Sequence, residues 1–260
     1  MYSQILLVIS ILPVVLIGYY IYKKDINKEP SGLLAKLFFA GVLSTILVLL
    51  LSGISEIFVP FLGEEPENLN AVQLIIYVFI GIALIEEFCK WIMVYMISYN
   101  NKEFDELYDM IIYAVFVSLG FACLENILYV LGSGIQVGIL RGLYAVPGHA
   151  CDGIFMGYFL GLAKLCEHKK DLKNRNKNLA LSLLVPSVLH GIYDYCIINE
   201  NPILVIAFYV FVALLYKHSI GKINKISKNN RKMTYKDNFC INCGTRVESN
   251  FCPKCGKKND

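Results

Sequence analysis

Long apolar runs constrain this chain more than any other feature, because a polypeptide in hydrocarbon must satisfy its backbone polar groups internally. Most of the runs reach the ~20 residues that a helix needs to cross a bilayer. The 56% hydrophobic composition and the mean hydropathy of +0.54 are too high for a soluble domain of this size. We therefore predict an all-α polytopic membrane protein with about seven (seven or eight) transmembrane helices. The runs are residues 4–22, 33–58, 71–99, 107–131, 135–163, 179–198 and 203–216.

Two of these runs need separate interpretation. The first follows the initiator Met without a basic segment, and no convincing small-residue cleavage site ends it, so we expect a retained span. The fifth is interrupted by Arg141 and Pro147. It is either one long crossing or a re-entrant piece before Pro147 followed by a crossing.

The distribution of basic residues predicts the orientation in the cytoplasmic membrane. Basic residues concentrate in residues 164–178 and 217–236, whereas residues 63–70 and 199–202 contain no Lys or Arg. Because Lys and Arg accumulate in loops that stay in the cytoplasm, the first two segments are predicted to be inside and the other two outside. This pattern predicts an external N-terminus, seven crossings and a cytoplasmic C-terminus.

The third run contains Glu86, Glu87 and Lys90 in otherwise apolar sequence. Each such residue costs about 2.5 kcal/mol or more at a bilayer centre, so it faces protein, finds a partner or performs chemistry. Spacings of three and four residues bring both carboxylates near the lysine on one helix face. The simplest alternative is a buried ion pair that only orients helices. Two carboxylates against one lysine leave a surplus acid, and we therefore favour a catalytic site.

Three later runs also carry polar residues at membrane depth. His190 and Asp194 are four residues apart, a spacing that lets the carboxylate orient the imidazole. Pooling all of these groups in one wet cavity costs less than burying each separately. The structural alternatives are an interfacial position for the Glu-Asn pair of the fourth run and a hydrogen-bonded core histidine in the fifth. The candidate residues outside the third run are Glu125, Asn126, His149, Asp152, His190 and Asp194.

Small residues in the fifth run predict a close helix contact. Gly153, Gly157 and Gly161 recur every fourth residue, and such a stripe lets two helix backbones approach each other.

The C-terminal residues contain two CxxCG sequences, formed by Cys240 with Cys243 and by Cys252 with Cys255. Four thiolates in this spacing predict a closed structural zinc site, with redox chemistry as the alternative. We expect a transmembrane domain over residues 1–218, a basic linker over 219–236 and a small cytoplasmic zinc ribbon over 237–260. The ribbon would offer a surface to a cytoplasmic protein partner. Because positive-inside charge explains the basic linker, we expect no nucleic-acid partner.

Four ordered segments resemble the PrsW intramembrane proteases, which are similar to the glutamic-type group that contains the CAAX-prenyl endopeptidases. They are EEFCKW at 86–91, SLGFACLEN at 118–126, HACDGIFMGYFLG at 149–161 and HGIYDY at 190–195. The resemblance covers residues 33–216 and excludes the cysteine-rich tail. It implies an intramembrane endopeptidase that makes the site-1 cut in a membrane-anchored anti-sigma factor, so that further proteolysis releases an extracytoplasmic-function sigma factor.

The resemblance also implies roles for individual residues. Peptide hydrolysis needs a base for water, donors for the oxyanion and an acid for the leaving amine. Either Glu86 or Glu87 would be the base, tuned by Lys90, and the residues alone do not separate the two. His149 and His190 would bind the oxyanion or position water. Glu125 and Asn126 would bind the substrate strand or polarise the water.

Other functions use the same polar residues. Histidines and carboxylates can hold a catalytic metal with one open position, although the chain contains no HExxH sequence. Our expectation is a catalytic site without metal. A proton or cation pathway is a further alternative, but no persuasive inverted repeat supports it. A membrane-tethered scaffold that recruits a partner through the zinc ribbon is compatible with proteolysis.

Overall fold

The computed structural model describes residues 2–199, 201–228, 240, 242–245, 247 and 251–258. These residues form a helical bundle, and the β pairing described among them is one isolated bridge between Phe251 and Lys258. The α-helices are α1 (Tyr2–Lys24), α2 (Ser31–Phe58), α3 (Ala71–Ile76), α4 (Ile85–Ser98), α5 (Leu107–Ser133), α6 (Ile135–Leu143), α7 (Ala145–His168), α8 (Leu172–Ile198) and α9 (Pro202–Lys228). A π-helical segment, Tyr77–Leu84, joins α3 to α4.

Six helical stretches are long and apolar enough to cross a membrane, and α3 to α4 counts as one of them. Helix α7 is the seventh long helix, and its 24 residues extend for about 36 Å at 1.5 Å per residue. It is not among the six apolar stretches, and most of its side chains are buried in the bundle. The predicted all-α polytopic membrane architecture is confirmed.

The fifth apolar run divides into two helices at Tyr144. The short α6 precedes Pro147, and the long α7 contains it. Pro147 lies in the first turn of α7, where a missing backbone N–H costs no helical hydrogen bond. The fifth run is therefore a short helix followed by a long one, and not one continuous helix.

Helix α5 is the central element of the bundle. Of the residues in its most apolar stretch, 72% are buried inside the protein. The corresponding share in the other five apolar spans is 22–33%. It packs against α2 through Gly120, where an added Cβ would lie 1.9 Å from the carbonyl oxygen of Phe38. It packs against α7 through Gly157, where an added Cβ would lie 2.3 Å from the carbonyl oxygen of Met110. The predicted glycine packing face of α7 is confirmed.

Helix α9 is longer than its apolar run. It continues to Lys228 through the first part of the segment predicted as a linker, with Ser219 and Ile223 buried on one face. The Lys222 ammonium lies 3.6 Å from the ring centre of Tyr158 on α7. Residues 219–228 are thus part of the bundle, and residues 229–236 of the predicted linker lie outside the described residues.

Candidate active site

The polar residues of α4 begin directly after the π-helical segment. A π-helix accommodates an extra residue per turn, which changes the direction of the side chains that follow, and such segments are frequent at functional sites. Here Glu86, Glu87 and Lys90 occupy the first turns of α4. Helices α5, α7 and α8 bring the other polar side chains to the same place.

Lys90 lies at the centre of the cluster and is fully buried. Its ammonium donates to Glu87 Oε1 at 2.7 Å and to Glu86 Oε2 at 3.3 Å. It also lies 3.1 Å from Nδ1 of His149 and 4.0 Å from the ring centre of Phe121. Because an ammonium group only donates, Nδ1 of His149 must accept, and the ring proton is then on Nε2.

His149 and Glu125 form the second part of the cluster. Nε2 of His149 lies 2.9 Å from Oε2 of Glu125, and the guanidinium of Arg141 lies 2.7 Å from the same oxygen. Arg141 also stacks over Tyr129, with its central carbon 4.0 Å from the ring centre. Helix α6 therefore contributes a cation that fixes the carboxylate behind His149.

His190 connects the carboxylates of α4 to α8. Its Nδ1 lies 2.9 Å from Glu87 Oε1, and its Nε2 lies 3.3 Å from Asp194 Oδ2 and 3.8 Å from Glu86 Oε2. The rings of His149 and His190 are 5.2 Å apart and nearly perpendicular. His149 thus has a carboxylate at Nε2 and the Lys90 ammonium at Nδ1, whereas His190 has a carboxylate at each ring nitrogen.

A cavity of about 520 Å³ opens beside this cluster. Glu86 borders it with a side chain that is 12% exposed, whereas Glu87 is fully buried behind it. The other polar residues that line the cavity are Glu125, Arg141, His149, Asp152, His190 and Asp194. Aromatic side chains complete the wall, namely Tyr129, Tyr144, Tyr193, Phe208 and Tyr209.

The structure brings together all but one of the residues predicted for the site in the membrane. The exception is Asn126, whose amide donates to the carbonyl oxygen of Ser10 on α1 at 2.8 Å. It is not among the residues that line the cavity. Neighbouring residues on a helix point about 100° apart, so Glu125 and Asn126 face different partners. Arg141 was missed as a site residue, although a lone arginine in an apolar run was the signal that could have identified it.

Comparisons with known proteins show which family this chain is similar to. The family described as "PrsW family intramembrane metalloprotease" matches residues 29–217. "Protease PrsW" of Oceanobacillus iheyensis is 36% identical over 220 residues, which are 85% of this chain and 95% of that protein. "Protease PrsW" of Bacillus subtilis is 36% identical over 182 residues, which are 70% and 77% of the two chains. "Protease PrsW" of Clostridioides difficile is 30% identical over 235 residues, covering 88% and 94%. No solved structure matches the chain.

The chain belongs to the PrsW family. This PrsW-family member is therefore a multi-pass membrane peptidase, and the residues of the polar cluster, from Glu86 to Asp194, lie within the matched residues.

The family description includes the word metalloprotease, which favours the metal alternative over our expectation of a metal-free site. One ligand atom each from Glu87, His149, Asp152 and His190 lies within 4.8 Å of the others. Glu87 Oε2 and Asp152 Oδ1 are buried without a hydrogen-bond partner in the described part of the chain. A carboxylate behind each histidine is the usual support of a metal-bound imidazole. These residues are therefore of the types that hold a divalent metal such as zinc, and a metal bound at Nδ1 of His149 would take the place of the Lys90 ammonium, which lies 3.1 Å from that atom.

The four C-terminal cysteines also lie together. The Sγ atoms of Cys240 and Cys255 are 3.4 Å apart, and those of Cys243 and Cys252 are 3.6 Å apart. The glycine after each CxxC has a positive φ, +65° at Gly244 and +70° at Gly256, a conformation that favours glycine and closes each turn around the thiols. This group can hold a metal ion. The remaining residues of the predicted ribbon, 237–239, 241, 246, 248–250 and 259–260, lie outside the described residues.

Proposed function

We propose that this protease makes the site-1 cut in a membrane-anchored anti-sigma factor, a single-pass membrane protein, so that further proteolysis releases an extracytoplasmic-function sigma factor. The observation that carries the proposal is the cavity bordered by Glu86 and backed by two carboxylate-supported histidines. Such a cavity provides a base, proton donors and space for a substrate chain inside the bilayer.

The depth of the polar residues supports a cut towards the outside. Glu125 and His190 lie about two turns before the ends of α5 and α8, and His149 lies about one turn after the start of α7. The basic loops favour a cytoplasmic position for the opposite helix ends, and hence an external N-terminus and a cytoplasmic C-terminus. In that orientation, the cavity is in the outer half of the bilayer, where a first cut would separate an external domain from its membrane anchor.

Glu86 is the proposed general base. Its carboxylate borders the cavity, so it can reach a water molecule beside the substrate. Glu87 is fully buried and its Oε1 is held by Lys90 and His190, so it is poorly placed to exchange protons with that water. Lys90 donates to both carboxylates, and its positive charge interacts strongly with them in a region of low dielectric. After attack, Glu86 would carry the proton that the leaving amine needs.

The histidines and Arg141 hold the reacting groups in place. His149, whose Nδ1 accepts from Lys90, is proposed to position water, and His190 is proposed to donate to the oxyanion or to position water. Glu125 and Asp194 orient the two rings from behind. Arg141 prevents Glu125 from being an unpaired buried charge. Asp152 lies on the face of α7 that meets the cluster, one turn after His149.

The proposed ligands of a catalytic metal are Glu87, His149, Asp152 and His190. A bound metal would polarise the scissile carbonyl and lower the pKa of a water molecule. The chain's own contribution stays the same: Glu86 takes the proton, the cavity admits the substrate and the carboxylates orient the imidazoles.

Zinc counting in purified full-length protein tests the assignment of two metal sites. We expect two zinc ions per chain, one in the proposed ribbon and one at the membrane site. The variant Cys240→Ser/Cys243→Ser should lose only the first, and Glu87→Gln/Asp152→Asn only the second. A Cys240→Ser/Cys243→Ser protein that is active without bound zinc would instead support the metal-free mechanism.

The proposed zinc ribbon lies against the cytoplasmic ends of the bundle in the proposed orientation. An added Cβ on Gly244 would lie 2.8 Å from a methyl group of Leu107 at the start of α5. A closed four-cysteine site has no open coordination position, so its role is to hold a surface for a cytoplasmic protein partner.

Co-expression with membrane-anchored anti-sigma candidates tests the substrate class. Wild type should shorten the substrate, whereas Glu86→Gln should leave it at full length. Glu64→Gln, a change of an exposed acid in the loop between α2 and α3, is the matched control and should cleave like wild type. Shortening that is equal in wild type and Glu86→Gln would contradict the proposal.

A further inference from the structure

A second group of buried carboxylates lies at the opposite end of α5 from Glu125. Asp25 belongs to the loop between α1 and α2, Glu106 is the N-cap of α5 and Asp109 is in its first turn. All three side chains are nearly completely buried, with exposures of 3%, 1% and 1%. One oxygen from each of them lies within 4.8 Å of the others.

Each aspartate of this acidic cluster uses only one of its oxygens. Oδ2 of Asp25 accepts from the backbone N–H of Glu29 at 3.2 Å. Oδ2 of Asp109 accepts from the backbone N–H groups of Asp105 and Glu106 at 3.0 and 2.6 Å. The Oδ1 atoms of Asp25 and Asp109 are buried without a hydrogen-bond partner in the described part of the chain. A buried oxygen without a hydrogen-bond partner costs about 1–3 kcal/mol, and more if it is charged. These two atoms therefore point to a ligand that would bind them.

The positive charge beside the acidic cluster does not neutralise it. The Lys28 ammonium donates to the backbone carbonyl oxygens of Tyr22 and Asp25 rather than to a carboxylate. The Lys28 ammonium is therefore held by backbone carbonyl groups at the edge of the cluster.

We propose that Asp25, Glu106 and Asp109 bind a hard divalent cation of the Ca²⁺ class, which joins the α1–α2 loop to the start of the central helix. Carboxylate oxygens are the ligands that such cations prefer. Two oxygens that each lie about 2.3–2.6 Å from one Ca²⁺ are at most about 5 Å apart, in agreement with the spacing of this cluster. The bound cation would give partners to the Oδ1 atoms of Asp25 and Asp109. The site is separate from the proposed catalytic metal, whose ligands include two histidines.

The test uses full-length, zinc-loaded protein in detergent and Ca²⁺ as the probe. Zinc loading occupies the thiol and histidine sites, so Ca²⁺ reports on an all-oxygen site. We expect one Ca²⁺ per chain and a melting temperature that rises with Ca²⁺ concentration. Asp25→Asn/Asp109→Asn should bind Ca²⁺ about 10-fold to 100-fold more weakly. These asparagines retain oxygens that can accept the backbone hydrogen bonds of the loop and the helix cap.

Two control variants separate this site from other acids. Glu64→Gln/Glu65→Gln removes two exposed acids and should bind Ca²⁺ like wild type. Glu86→Gln, which is expected to fold normally, should also retain the Ca²⁺ site. If the double asparagine variant does not fold, Asp25→Asn alone, in the loop, replaces it and should still weaken binding. Wild type that binds no Ca²⁺ at millimolar concentration, or unchanged binding in Asp25→Asn/Asp109→Asn, would overturn the proposal.

Discussion

Glu86 and Glu87 are adjacent in the sequence, yet Glu86 borders the cavity and Glu87 is buried behind it against Lys90 and His190. Neighbouring positions on a helix point about 100° apart, so one acid meets the space for substrate and the other meets protein. We therefore expect the loss of the Glu86 carboxylate to affect catalysis and the loss of the Glu87 carboxylate to affect stability.

The first prediction concerns Glu86. Glu86→Gln should fold normally, retain metal and lower the cleavage rate by about 10²-fold to 10⁴-fold, the range for loss of a general base. Single-turnover cleavage of a labelled single-pass substrate measures this effect, with thermal unfolding as the control for stability. A decrease of only about twofold relative to wild type, far smaller than that range, would exclude Glu86 as the base.

The second prediction concerns the ion pair between Glu87 and Lys90. Glu87→Gln should lower the free energy of unfolding by about 3–5 kcal/mol, because it removes the nearest partner of a buried ammonium group. Glu87→Gln/Lys90→Met should recover part of that loss, since it removes both charges. Denaturant unfolding of the two single variants and the double variant measures the coupling. Additive losses would show that the two residues do not act as a pair.

The third prediction concerns Glu125 and Arg141. Glu125→Gln should weaken metal binding at the membrane site by about 10-fold to 100-fold, because the carboxylate orients His149. Arg141→Gln should weaken it in the same direction by leaving Glu125 without its cation. Zinc competition with a chelator measures both, in a Cys240→Ser/Cys243→Ser background that removes the proposed ribbon zinc. Equal zinc affinity in wild type and Glu125→Gln would contradict an orienting role.

The fourth prediction concerns helix packing. Gly157→Ala should destabilise the bundle by about 1–3 kcal/mol or more, because the new methyl group would meet the backbone of α5. Gly53→Ala in α2 is the matched control, since nothing lies within 4 Å of its Cβ position. The control should be neutral or slightly stabilising, as alanine favours helix more than glycine does. Melting temperatures of the two variants in the same detergent provide the comparison.

Much of the fold and of the candidate site could be predicted from the sequence. An apolar run long enough to cross a bilayer predicts a helix, because a backbone in hydrocarbon has few other ways to satisfy its hydrogen-bonding groups. Glu86, Lys90, His149 and His190 were identifiable because ionisable residues at membrane depth are costly unless they have partners. The structure brings these side chains into one cluster.

Other parts depended on tertiary packing. The approach of Arg141 to Glu125 requires the chain to turn between α5 and α7, and no local pattern in α6 predicts where that turn ends. Asn126 faces α1 rather than the cavity, which the sequence around it in α5 does not reveal. Helix α9 extends beyond its apolar run because Ser219 and Ile223, four residues apart, pack on the bundle in spite of the lysines around them.

The most direct measurement is cleavage of a purified single-pass anti-sigma substrate by this protein in liposomes, with the cut position read by mass spectrometry. The account predicts that wild type and Glu64→Gln cut within the outer half of the substrate's span and that Glu86→Gln does not. A cut outside the membrane, or a Glu86→Gln protein that cuts at the wild-type rate, would contradict it.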